Sequence, residues 1–154
     1  MDLQKKIKKQ FLKYKTIIIK QVGQKALYND TIDKICKGLF KSKYIGTYTQ
    51  DKIPDNLYND TRYMIINVDK YGEDGSHWVS IAIQHNKYFI WDSFGRDLSK
   101  LLKILTKKLK NKQVEIINGN EDGANQKGYS EVCGQMCISW LICFDKYGQD
   151  ALLI

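Results

Sequence analysis

Apolar residues recur at helical spacing at the start of the chain. Leu3, Ile7, Phe11, Tyr14 and Ile18 fall on one stripe at steps of four, four, three and four. Lysines at positions 5, 6, 8, 9, 13 and 15 fill the other faces, so the pattern predicts an amphipathic helix over 2–20 that Gly23 ends. A shorter helix is expected from Asp30 or Thr31 as N-cap to about Gly38. The segment YIGTYTQDKIPDNL, punctuated by Gly46 and Pro54, reads as irregular. The period then changes to two. Strands are expected over 63–68, 77–84 and 87–91, with His85 and Asn86 as a hairpin turn. In the middle strand Trp78, Ser80 and Ala82 take one face, and Val79, Ile81 and Ile83 the other. Leu98, Leu101, Leu102, Leu105 and Leu109 restore the helical stripe over 97–111, with lysines opposite. A short strand over 113–117 and a loop over 118–128 follow, and 133–147 is nearly all apolar around its circumference, as a core helix is.

These elements predict an α+β fold: a central mixed sheet packed on the buried helix 133–147, with flanking helices. At 154 residues the chain is large enough for one domain with its own core. Charge divides it further. Residues 1–28 carry eight lysines against one aspartate, +7, and 96–112 carry +6, within a net charge of +8. A basic arm over 1–28 and a domain over 29–154 are the expected units. Two basic patches on an otherwise slightly acidic body point to a polyanionic partner. Lys5, Lys6, Lys8, Lys9, Lys13, Lys103, Lys107 and Lys108 are the candidate contacts. The alternative is that the arm docks through its stripe and its lysines are only solvated. No run approaches the ~20 apolar residues of a membrane span. The start lacks the apolar centre of a secretory signal, so synthesis in a cytosol is expected.

Four cysteines, Cys36, Cys133, Cys137 and Cys143, form neither a disulfide framework nor a CxxC pair, and there are only two histidines. No metal site is expected, and a reduced compartment with one functional thiol fits better. Cys133 stands where the polar loop meets the apolar helix. Amide N–H groups and the helix dipole there favour a thiolate. Gly134 beside it leaves room for a substrate backbone. His77 opens one strand of the hairpin and Asp92 closes the other. Counting back from the turn pairs 84 with 87 and 79 with 92, which puts Asp92 within side-chain reach of His77. An acid so placed fixes the imidazole tautomer and stabilises the imidazolium. Gln126 lies in the loop seven residues before Cys133, where its amide and the Cys133 N–H would serve an oxyanion. Each residue alone has an ordinary reading: Cys133 as a small buried hydrophobe, His77 on the surface, Asp92 ending a strand, Gln126 solvated.

The order His-Trp, acid, then Gln with six residues before Cys-Gly resembles the adenovirus-type maturation proteases, relatives of the SUMO and ubiquitin-like proteases. GSHWVSIAI resembles that family's histidine strand, KYFIWDSFGRDLSKL its acid strand and following helix, QKGYSEVCGQMC its glutamine loop and nucleophile helix, and KSKYIGTY its early segment. The likeness runs from about residue 30 to 147. It implies a papain-like, adenain-like fold and a cysteine endopeptidase. Cys133 would be the nucleophile, His77 the base, Asp92 the orienting acid and Gln126 the oxyanion donor, with Trp78 lining the cleft. Adenoviral members have glutamate at the acid position, whereas the SUMO protease relatives have aspartate, as here. The resemblance implies capsid precursor substrates cut at glycine-containing sites in the virion or the virus factory of the host cell. It also implies DNA as an activator, with no cofactor needed for the chemistry. The compact, lysine-rich form is most similar to versions in virophages and Polinton-type transposons. The alternatives are a deubiquitinase or deSUMOylase acting on host conjugates, and an inert DNA- or capsid-binding protein on a dead protease fold.

Overall fold

A computed structural model describes residues 2–54, 56, 58–69, 77–96, 102–119 and 131–154. Helix α1 spans Leu3–Val22. Asp2 caps it by accepting the Lys5 N–H, and Gly23 ends it at φ 89°, its N–H donating to Ile19 O. Helix α2 spans Asn29–Phe40. It continues past the expected stop at Gly38, which is exposed with open space around it, because Phe40 is buried in the core.

Five strands follow: β1 Tyr44–Thr49, β2 Arg62–Asn67, β3 Trp78–Gln84, β4 Lys87–Trp91 and β5 Glu115–Gly119. Between β4 and β5 lies helix α3, Lys103–Lys110. Helix α4 is Cys133–Tyr147. The N-terminal part of the helix expected over 97–111, with Leu98 and Leu101, lies outside the described residues.

The strands form one sheet in the order β1-β2-β3-β4-β5, parallel at both outer pairs and antiparallel in the middle. The sheet is therefore mixed, as expected. The β3–β4 register runs from Gln84↔Lys87 to Ser80↔Trp91, as the count from the turn predicts. His85 and Asn86 both have positive φ, 49° and 62°, the geometry of a two-residue hairpin turn.

Two expectations are corrected. The stretch read as irregular contains β1. Gly46 interrupts it without breaking it: the β1–β2 register shifts between Tyr44 and Gly46, φ is 153°, and a Cβ there would sit 2.7 Å from the Tyr48 hydroxyl. The last strand begins at Glu115, not 113, because Gln113 takes φ 57° in the turn after α3.

Side chains on the two sheet faces belong to separate cores. Tyr63, Ile65, Ala82, Phe89 and Trp91 pack with α1, α2 and α4. Met64, Ile66, Val79, Ile81, Ile83 and Ile90 pack with Leu102, just before α3, and with Leu105 and Leu109 of α3. Helix α4 is buried at eleven positions, which accounts for its lack of a polar face. The basic segment 1–28 packs on this core. Ile7, Phe11 and Ile18 of α1 are buried, and the Phe11 ring meets Trp91 edge-on at 5.5 Å.

Candidate active site

β3 and β4 bring His77 and Asp92 together, because the two residues flank the open end of their hairpin. His77 is 5% exposed and Asp92 wholly buried, and His77 Nε2 shares a short hydrogen bond with Asp92 Oδ1. The other carboxylate oxygen accepts both the Arg96 backbone N–H and its Nε–H, each at 3.0 Å. Gly95, at φ 63°, turns the chain so that Arg96 can fold back onto Asp92. The guanidinium lies 5.0 Å from the Phe94 ring, which in turn packs 5.1 Å from the His77 ring. Burial alone would raise the Asp92 pKa. The bonds from His77 and Arg96 outweigh it and hold the carboxyl at about 2.

With Nε2 committed to Asp92, Nδ1 is the His77 nitrogen left for the thiol. Cys133, the first residue of α4, has its thiol under the influence of that imidazole. Burial opposes ionisation of Cys133, but the His77 bond and charge, with the backbone N–H groups of Trp78 and Gly134, bring its pKa below the ordinary thiol value. Burial likewise opposes charge on His77, yet its bonds to Asp92 and Cys133 raise its pKa. The other cysteines go the opposite way. Burial pushes Cys36 and Cys143 up to about 12, and Cys137 well above the ordinary value. Among the described residues no side chain caps the N-terminus of α4.

Gly134 is buried, and a Cβ there would lie 3.3 Å from Ile32 Cδ1 and 3.4 Å from both Leu27 Cβ and Trp78 Cδ1. The close approach that glycine permits here includes Ile32 of α2, Leu27 and Trp78. Trp78 is partly buried, and its indole N–H donates to Leu27 O. Gln126 lies outside the described residues. Arg96 was not foreseen. A signal existed: of 25 basic residues only Arg62 and Arg96 are arginine, and the guanidinium of each bonds an aspartate, Arg62 through two nitrogens and Arg96 through Nε.

Lys5, Lys6, Lys8, Lys9 and Lys13 of α1 are exposed, as are Lys103 and Lys107 of α3. Lys108 is half-buried and donates to Ile53 O. The two basic helices lie on opposite faces of the sheet. Among the described residues no group of His, Cys, Asp and Glu is placed to hold a metal ion, and no helix is long and apolar enough to cross a membrane.

A lowered thiol on an imidazole that is itself held by a buried carboxylate, carried on a mixed sheet, is the arrangement of a cysteine protease. The family model of the adenovirus endoprotease matches residues 38–153. The chain belongs to the adenovirus endoprotease family and is a viral cysteine endopeptidase. No curated protein matches it in sequence.

Proposed function

We propose that this endopeptidase cleaves capsid or other virion precursor proteins at glycine-containing sites, with Cys133 as nucleophile. The observation that carries the reading is the Cys133–His77–Asp92 series, in which Cys133 alone of the four thiols has its pKa lowered. The Cys133 thiolate attacks the peptide carbonyl carbon, and the carbonyl oxygen takes the negative charge. Gln126 and the Cys133 N–H stabilise that oxyanion. The tetrahedral intermediate collapses as the His77 imidazolium gives its proton to the leaving amine, leaving a thioester. His77 then takes a proton from water, whose oxygen attacks the thioester, and the thiolate is regenerated. Asp92 keeps the imidazole oriented and favours its charged form. Incubation with candidate precursor proteins tests the assignment: wild type should cut them and Cys133→Ala should not. Cleavage by Cys133→Ala would overturn it.

Such substrates place the work of the enzyme in the virion and the virus factory of the host cell. The lysine-rich composition favours an origin among virophage or Polinton-type elements. The exposed lysines of α1 support duplex DNA as an activator or tether. Because α3 lies on the other face, the α1 lysines alone would follow one duplex. Phosphate contacts make affinity fall steeply with salt. A binding titration on duplex DNA should therefore show strong binding at low salt that is lost as salt rises. No binding at low salt would remove DNA from the account.

A further inference from the structure

Residues 23–27 leave the end of α1 and cross the two elements that carry the thiol and the imidazole. Three of their carbonyls, at every second residue, accept hydrogen bonds from those elements. Gln135, wholly buried and two residues after Cys133, donates from Nε2 to Gly23 O at 3.1 Å and to Lys25 O at 2.8 Å. Trp78, next to His77, donates its indole N–H to Leu27 O at 3.1 Å. Leu27 Cβ also packs against Gly134. One turn further along α4, the Ser139 hydroxyl donates to Phe11 O, 2.6 Å away, so α1 itself is fastened to the same helix. The residues so held, Trp78 and Gly134, are those whose backbone N–H groups favour the Cys133 thiolate. Residues 23–27 precede the part of the chain that the family model matches.

We propose that residues 23–27 are a positioning strap of the catalytic centre, holding Trp78 and Gln135 so that Cys133 stays seated against His77. The proposal rests on the catalytic reading of those two residues. A buried glutamine with both amide hydrogens committed is costly to leave unpaired, so the strap and the first turn of α4 move as one. Trp78 transmits the hold directly, since its side chain is tied to the strap and its backbone to the sulfur. Loosening the strap withdraws N–H donors from the thiolate and leaves the His77–Asp92 bond in place.

Two full-length variants test this. Gln135→Met keeps the side-chain length and removes both donors. Trp78→Phe keeps an aromatic ring and removes one hydrogen bond, and it carries the test if Gln135→Met does not fold. The readout is the pH dependence of iodoacetamide alkylation at Cys133, located by mass spectrometry, alongside thermal unfolding. The midpoint should move to higher pH, and each unit of movement lowers the rate on the acid side about tenfold. A lower unfolding temperature with an unchanged alkylation profile would overturn the strap and leave the catalytic reading standing. A wild-type Cys133 that reacts no faster than Cys36 or Cys143 would overturn the catalytic reading itself, and the strap with it.

Discussion

Cys133 and Cys137 stand four residues apart on α4, both almost fully buried at 8% and 0% exposure, yet their thiols are driven in opposite directions. Burial pushes both up. The difference lies in what each sulfur meets. Both touch the backbone of Trp78. Its N–H faces Cys133, which can accept that bond as a thiolate, while its carbonyl accepts from the Cys137 Sγ at 3.3 Å, a bond that needs the proton kept. Cys133 also has His77 and the N–H groups of the first turn of the helix. Cys137 lies a turn deeper and has neither. A reactive cysteine here is therefore made by its position at a helix end beside His77, since both cysteines are nearly buried and burial pushes both thiols up.

Exchanging alanine for each cysteine in turn gives the sharpest contrast. Cys133→Ala should abolish cleavage. Cys137→Ala should keep cleavage within a few-fold and lower stability by about 1 kcal/mol, the usual scale for a modest core truncation. Equal losses of activity would erase the distinction. Next in size is the pair around His77. A general acid–base group contributes roughly 10²–10⁴-fold, and Asp92→Asn should lose a large part of that. The lowering of Cys133 and the raising of His77 draw the two groups together and favour the imidazolium–thiolate pair. The kcat/KM profile against pH is therefore bell-shaped, with Cys133 on the acid limb and His77 on the alkaline limb. Asp92, ionised down to about pH 2, sets neither limb. Asp92→Asn removes a group that raises His77, so the alkaline limb moves to lower pH. Gln126→Ala should cost roughly 10²–10³ in kcat if that amide serves the oxyanion, and single-turnover rates measure it. Arg96→Gln is the mildest. It removes a positive charge that competes for Asp92, so the alkaline limb moves slightly upward, opposite to Asp92→Asn. Its side chain is 42% exposed, and such pairs contribute about 1 kcal/mol at most, or about fivefold in rate. A downward shift of that limb would contradict the role given to Arg96.

The hairpin was legible because a period of two and a two-residue turn leave one register that buries Val79, Ile81 and Ile83 together, and that register alone brings His77 to Asp92. Helix α4 was legible from its lack of a polar face. β1 was hidden because a glycine inside a strand looks like a break, and only the bulge against β2 and the nearby Tyr48 ring explain its presence. The strap was hidden for a different reason. Its hydrogen bonds come from carbonyls, which every residue possesses, so nothing in the side chains of residues 23–27 announces them. Gln135 was the available clue, as a polar residue in the apolar first turn of the helix.

Competitive alkylation of the native, full-length protein at neutral pH, with the label located by mass spectrometry, tests the central claim most directly. Cys133 should take the label far faster than Cys36, Cys137 and Cys143, and the preference should vanish on unfolding. Labelling of all four at similar rates in the folded protein, or of another cysteine first, would contradict the account.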